Sequence, residues 1–206
     1  RLFFSLWPPT EAAEHLTAIG QSVARQFGGK PTRQETIHLT LAFLGEISDE
    51  QLPLLVQTAQ LIRAAPFMLN IDCLGYWRRN HLLWAGSNFP CMALAELVEN
   101  LQSALTEAGF AVDGRDRTFT PHITLIRKLS ETRKTFTLPD IDPITWLCSS
   151  FALVRSKTSE TGSYYQTFPI FDPIASAIAY FTNHLNTLFL AALLPYSIGF
   201  ISLAPT

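Results

Sequence analysis

At 206 residues the chain can bury a substantial core, as one compact domain or two small lobes. Its 48% hydrophobic and 16% charged residues exclude a disordered chain, and a net charge of −2 argues against a broad basic face for long duplexes. Cys73, Cys91 and Cys148 are odd in number, widely spaced and without a C-x-x-C pair, so they read as buried or free thiols in a reducing compartment.

In chain order, Arg1 to Trp7 reads as a buried strand ended by Pro8-Pro9, too short for a secretory signal. Ala12, Ala13, Leu16, Ile19, Val23 and Phe27 make a helical stripe from Thr10, the expected N-cap, to a stop at Gly28-Gly29. Ile37-His38-Leu39-Thr40-Leu41 opens a strand that Gly45 closes. Ser48 to Gln51 matches a capping box, which predicts a second helix to about Ala64 with Pro53 in its first turn. Pro66 to Trp77 and His81 to Ser87 are expected as two strands around a turn at Arg78-Arg79-Asn80. Leu94, Leu97, Val98, Leu101, Leu105 and Ala108 stripe a third helix, which Gly109 ends. A polar loop from Asp113 to Arg117 leads to the strand Pro121-His122-Ile123-Thr124-Leu125. Ile144 to Val154 and Ser163 to Ile170 are further strand candidates, joined by a polar loop from Ser156 to Gly162.

The order strand, helix, loop, His-x-Thr strand thus occurs twice, over Arg1 to Phe43 and over about His81 to Ile126. Such a repeat suggests two similar lobes facing one another across a pseudo-twofold axis. In a strand, His and Thr two residues apart share a face. His38, Thr40 and Ala42 would line one surface above Ile37, Leu39, Leu41 and Phe43, and His122 and Thr124 would do so above Ile123 and Leu125. His15-Leu16-Thr17 is a control: inside a helix its two polar residues point about 200° apart and share no site. Taken singly, either strand motif fits an ordinary histidine; the pairing and the repeated order favour a shared site.

Two facing imidazoles suit acid–base chemistry near neutrality. One takes a proton from a nucleophile while the other gives one to the leaving group, on opposite sides of a phosphate. The threonine hydroxyls can donate to its non-bridging oxygens. The sequence has no H-E-x-x-H, P-loop, G-x-G-x-x-G or G-x-S-x-G. No carboxylate stands at ligand spacing beside either histidine, so neither a metal nor another cofactor is expected.

These residues resemble a known family, the two-histidine (2H) phosphoesterases, in their bacterial RNA 2′,3′-cyclic phosphodiesterase (2′–5′ RNA ligase) branch. The resemblance is carried by Arg1-Leu2-Phe3-Phe4, by His38-Leu39-Thr40-Leu41-Ala42-Phe43-Leu44-Gly45, and by Pro121 to Leu125 with Arg127. It covers roughly residues 1 to 171. It implies an α+β, bilobal fold, with two antiparallel sheets flanking a central cleft and helices outside. It further implies opening of a 2′,3′-cyclic phosphate at an RNA end to a 2′-phosphate, with His38 as proton donor, His122 as acceptor and Thr40 and Thr124 on the phosphate. Arg127 matches a family position, yet strict alternation puts it opposite His122 unless the strand ends or bulges after Leu125. Tyr165 can stack on a base or merely pack, and Phe4 and Trp77 read as core or cleft wall.

Residues 172–206 form a separate extension, and the last 34 residues carry no charge. Leu185 to Ala204 is long enough to span a bilayer, but Pro195 and Gly199 interrupt it and no basic cluster flanks it. A packed apolar helix, or a tail foreign to the core fold, is the favoured reading. The expectation is a cytoplasmic monomer acting on RNA termini or nucleotides with a 2′,3′-cyclic phosphate. The alternative is a non-catalytic RNA-end or nucleotide-binding module on the same fold.

Overall fold

The computed structural model describes residues 1–129, 137–159 and 162–171. The expected extension from 172 onward, with His184 and the 185–204 segment, lies outside the described residues. Among the described residues the fold is α+β, with two antiparallel sheets and three α-helices. None of those helices is long and apolar enough to cross a membrane.

The strands are β1 (Leu2–Leu6), β2 (Lys30–Pro31), β3 (Leu39–Gly45), β4 (Phe67–Ile71), β5 (Cys73–Trp77), β6 (Leu82–Gly86), β7 (Ile123–Arg127), β8 (Ile144–Cys148), β9 (Phe151–Ser159) and β10 (Gly162–Phe171). The helices are α1 (Thr10–Phe27), α2 (Leu52–Gln60) and α3 (Met92–Glu107). The larger sheet runs β10-β9-β1-β3-β7-β6-β5, with β2 also on β7, and β4 and β8 form the smaller one. Both His-x-Thr strands therefore lie in one sheet, whose halves meet at a single residue pair, Leu39 opposite Ile123. Both residues are fully buried, and each such aliphatic side chain contributes about 2 kcal/mol.

The repeated order survives as β1-α1-β3 and β6-α3-β7, with antiparallel pairing of β1 to β3 and of β6 to β7. The helices are exchanged between the halves: α1 packs on β7 and α3 on β3. Gly20 permits the first contact, since a Cβ there would sit 3.3 Å from the Leu125 carbonyl oxygen. In α3 the expected stripe is buried from Leu94 to Leu105, with Ala108 half-buried at the C-cap, together with one polar residue, Gln102, whose amide donates to the Leu41 carbonyl at 2.8 Å.

Several boundaries differ from the sequence reading. Pro9, not Thr10, caps α1, through Ala13 N–H to the Pro9 carbonyl. The helix α2 stops at Gln60, and the box before it keeps one bond, from Ser48 N–H to Gln51 Oε1 at 3.3 Å. The single strand expected over Pro66–Trp77 breaks at Asp72 into β4 and β5, which belong to different sheets. Asp72 fixes that corner by accepting from Asn88 N–H and the Asn70 amide, both at 2.8 Å. The stretch Ile144–Val154 likewise divides into β8 and β9. The polar residues Ser156 to Ser159, expected as loop, extend β9 against β10.

Candidate active site

Each histidine is the residue just before its strand, not inside it as expected: β3 begins at Leu39 and β7 at Ile123. Both are held the same way. His38 Nδ1 lies 2.7 Å from the Thr36 carbonyl, and His122 Nδ1 lies 2.9 Å from the Thr120 carbonyl. A carbonyl only accepts, so each Nδ1 carries the proton and each Nε2 is left as the working nitrogen.

Their surroundings differ. His38 sits among Phe3 (centroids 4.9 Å apart, stacked), Trp7 (5.4 Å) and Tyr165 (5.5 Å, edge-on). His122 and Trp77 meet edge to face, their ring centroids 4.5 Å apart. Trp77 in turn packs on Trp84, whose ring crosses Gly75 where a Cβ would overlap it. Burial drives the His38 pKa down to about 4, with Arg127 and His122 adding to the fall and the Thr36 bond opposing it. Burial also lowers His122, again opposed by its carbonyl bond and assisted by Arg127. Both imidazoles are thus neutral at pH 7 in the free protein. Burial pushes the Tyr165 phenol up, against a lowering by Arg127, Arg1 and Arg33.

The position of Arg127 depends on a bulge. Along β6–β7, Leu83 pairs with Ile126 but Trp84 pairs with Thr124, so Leu125 is an extra residue. The alternation flips there, and Arg127 joins the face of His122 and Thr124. Strict alternation, which put Arg127 on the far side, does not hold. The bulged Leu125 carbonyl is satisfied by Thr32 N–H at 2.8 Å.

The same irregularity recurs at the same offset in β3. Phe4 pairs with Ala42 and Ser5 with Thr40, leaving Leu41 extra, and Gln102 satisfies its carbonyl. This corrects two further expectations. Ala42 turns into the core, 2% exposed, and Phe43 turns onto the His38 face, stacked with Phe3 at 6.5 Å. Phe43 and Arg127 therefore occupy matching positions, five residues after their histidines.

His38, His122 and Arg127 lie within mutual electrostatic reach, and Tyr165 joins them through Arg127 and the His38 ring, with Thr40 and Thr124 on the histidine face of their strands. Phe4 is core, fully buried, and Trp77 is half-buried between His122 and Trp84. His15 is exposed on α1, as the control requires. Phe3 and Trp7 were missed. They alternate along and just past β1 on the side that meets His38, a period-two signal hidden because every residue of β1 is buried. Beside them a cavity of about 430 Å³ opens, lined by Trp7, Tyr165, Thr167, Ser150 and Glu35 among others. Among the described residues no three His, Cys, Asp or Glu side chains gather as a metal site would need.

Paired imidazoles with Nε2 unengaged by their carbonyl bonds, two hydroxyls and one guanidinium on an α+β scaffold are groups able to serve acid–base chemistry at a phosphoester. Residues 6–84 match the family model described as LigT-like phosphoesterase. The chain is 34% identical to an RNA 2′,3′-cyclic phosphodiesterase of Escherichia coli over 165 residues, 76% of this chain and 91% of that one. It is 31% identical to the Thermus thermophilus protein of the same name over 173 residues, 80% and 86% of the two chains. Escherichia coli LigT, in its crystal structure complexed with 3′-AMP, superposes with a TM-score of 0.76 at 31% identity, covering 84% of this chain and 97% of that one. The chain belongs to the LigT-like, two-histidine phosphoesterase family.

Proposed function

We propose that this protein is a metal-independent RNA 2′,3′-cyclic phosphodiesterase that opens cyclic ends to 2′-phosphates by two-histidine acid–base catalysis. The observation that carries the reading is the matched pair of imidazoles, each pinned through Nδ1 to a carbonyl two residues earlier. The names of the relatives and the nucleotide in the LigT structure support the substrate class.

In this mechanism His122 Nε2 takes a proton from water as its oxygen attacks phosphorus. The P–O3′ bond breaks, and the departing O3′ takes the proton of His38 Nε2. Thr40 and Thr124 donate to the non-bridging oxygens, and Arg127 offsets their charge. Tyr165 and Trp7 wall the cavity where the terminal base lies. A 5′-hydroxyl in place of water would form a 2′–5′ linkage, which is the ligase direction.

The acid needs a proton that the free site disfavours, and the substrate's negative charge restores it. Anion binding raises the pKa of His38 from about 4, so the complex holds a proton that the free protein lacks. Affinity for sulfate, whose charge is constant over this range, therefore rises as pH falls from 8 towards 5, by up to about tenfold per pH unit for each proton taken up. Titration calorimetry checks this, and a pH-independent affinity would remove the argument.

The direct test incubates a short RNA ending in a 2′,3′-cyclic phosphate with the protein in excess EDTA and identifies the new end. A 2′-phosphate is expected. A 3′-phosphate would overturn the regiochemistry, and loss of activity in EDTA would overturn metal independence. Intact RNA with folded protein would favour the binding-module reading.

A further inference from the structure

Beyond the histidines, one edge of the larger sheet is strongly basic. Lys30 pairs with Arg127, Arg127 with Leu82, and Leu82 with Trp77, so one row crosses β2, β7, β6 and β5. At about 4.8 Å per strand gap the row spans roughly 14 Å. Just past it stand Lys128, His81 and Arg78, then Arg79, all exposed. The turn that carries them is tied to the strand ends: Leu129 N–H donates to the His81 carbonyl at 3.0 Å, and the Tyr76 hydroxyl bonds His81 Nδ1 at 3.1 Å.

The sequence has no Asp or Glu from residue 73 to 95 or from 117 to 130, the stretches that build β5, β6 and β7. Among the described residues Lys30, Arg79 and Lys128 form no ion pair with a carboxylate. In a chain of net charge −2 this concentration of cations is local. It also adjoins the site, because the row contains Arg127 and the Trp77 ring that touches His122.

We propose that this edge is a track for the backbone phosphates of a single-stranded RNA whose cyclic end lies between His38 and His122, so that polynucleotide ends are preferred to cyclic mononucleotides. The inference deepens the RNA-end reading and rests on it. A mononucleotide has one phosphate, which the histidines, the threonines and Arg127 hold; a longer strand carries further phosphates along the row towards Arg79 and Lys128. Each backbone phosphate met by a cation releases condensed counterion, so the preference weakens with salt. The short reach accommodates a few phosphodiesters and no long duplex.

The test compares kcat/KM for a short RNA with a cyclic end against a 2′,3′-cyclic mononucleotide, at several salt concentrations, in wild type and in the double variant Arg79→Ala, Lys128→Asn. Lys128 has φ 55°, a conformation that asparagine accepts, so the strand end is preserved. The oligomer is expected to lose about tenfold and its salt slope to shrink by about 0.7 per lost contact, while the mononucleotide changes less than about twofold. Equal losses on both substrates, or none on either, would overturn the track. If wild type turns over neither substrate, the enzyme reading fails by itself. The track is then read from fluorescence anisotropy of a labelled RNA ending in a 2′-phosphate, where unchanged binding by the double variant would overturn it.

Discussion

Replacing either histidine with asparagine is expected to lower kcat/KM on a cyclic RNA end by on the order of 10³-fold, with the double variant only slightly worse than either single one. Asparagine is the informative choice because its amide can still donate to the Thr36 or Thr120 carbonyl that now accepts from Nδ1. The loop is kept while the titrating nitrogen is removed. Binding of an RNA 2′-phosphate should survive within a few-fold, since Thr40, Thr124 and Arg127 remain. Turnover within tenfold of wild type in either variant would eliminate the acid–base pair. Lost binding together with lost turnover would instead mean that the histidines hold the cleft walls. Stability gives an independent check on His38. Its pKa is about 4 when folded and near 6.5 when unfolded, so the unfolded chain takes up a proton that the native state refuses. That costs the wild type about 3 kcal/mol as pH falls from 6.5 to 4, and His38→Asn should unfold with correspondingly weaker acid dependence.

The elements with a clean period and a glycine stop were legible in the sequence. The stripe of α3 ends at Gly109 and that of α1 at Gly28-Gly29, all three at positive φ. The histidine pair was legible because the motif repeats in a repeated element order. What could not be read is where the chain changes sheets. Asp72 and Ser149-Ser150 interrupt stretches whose local propensity is uniformly extended, and the corners depend on pairing partners far away in the chain. The bulges were hidden for a related reason, since neither Leu41 nor Leu125 is a glycine. A trace was nonetheless present: Leu41-Ala42 and Leu125-Ile126 are adjacent apolar pairs at the same offset, and each breaks the period-two pattern. Gln102, one polar residue in an apolar stripe, was the other trace, because a buried amide needs a partner such as the bulged Leu41 carbonyl.

Arg127→Ala is the second large effect expected, a fall in kcat/KM of on the order of 10²-fold, with Arg127→Lys recovering part of it. The bulge at Leu125 is what gives this arginine its place, through the Thr32 N–H on the Leu125 carbonyl and the close seat of Gly20 of α1 behind it. A rate loss alone would not separate a cation acting on the phosphate from a side chain that merely steadies the strand end. The pH profile separates them. Arg127 depresses the pKa of both His38 and His122, so its removal must let both rise. The limbs of kcat/KM against pH should therefore move to higher pH in the alanine variant and stay near their wild-type positions in the lysine variant, whose charge is retained. A rate loss with unmoved limbs would assign Arg127 to the scaffold and leave the phosphate to the two threonines. Limbs that move with the charge would make the bulge part of the chemistry, since without it the guanidinium would lie on the opposite face of β7 from the histidines.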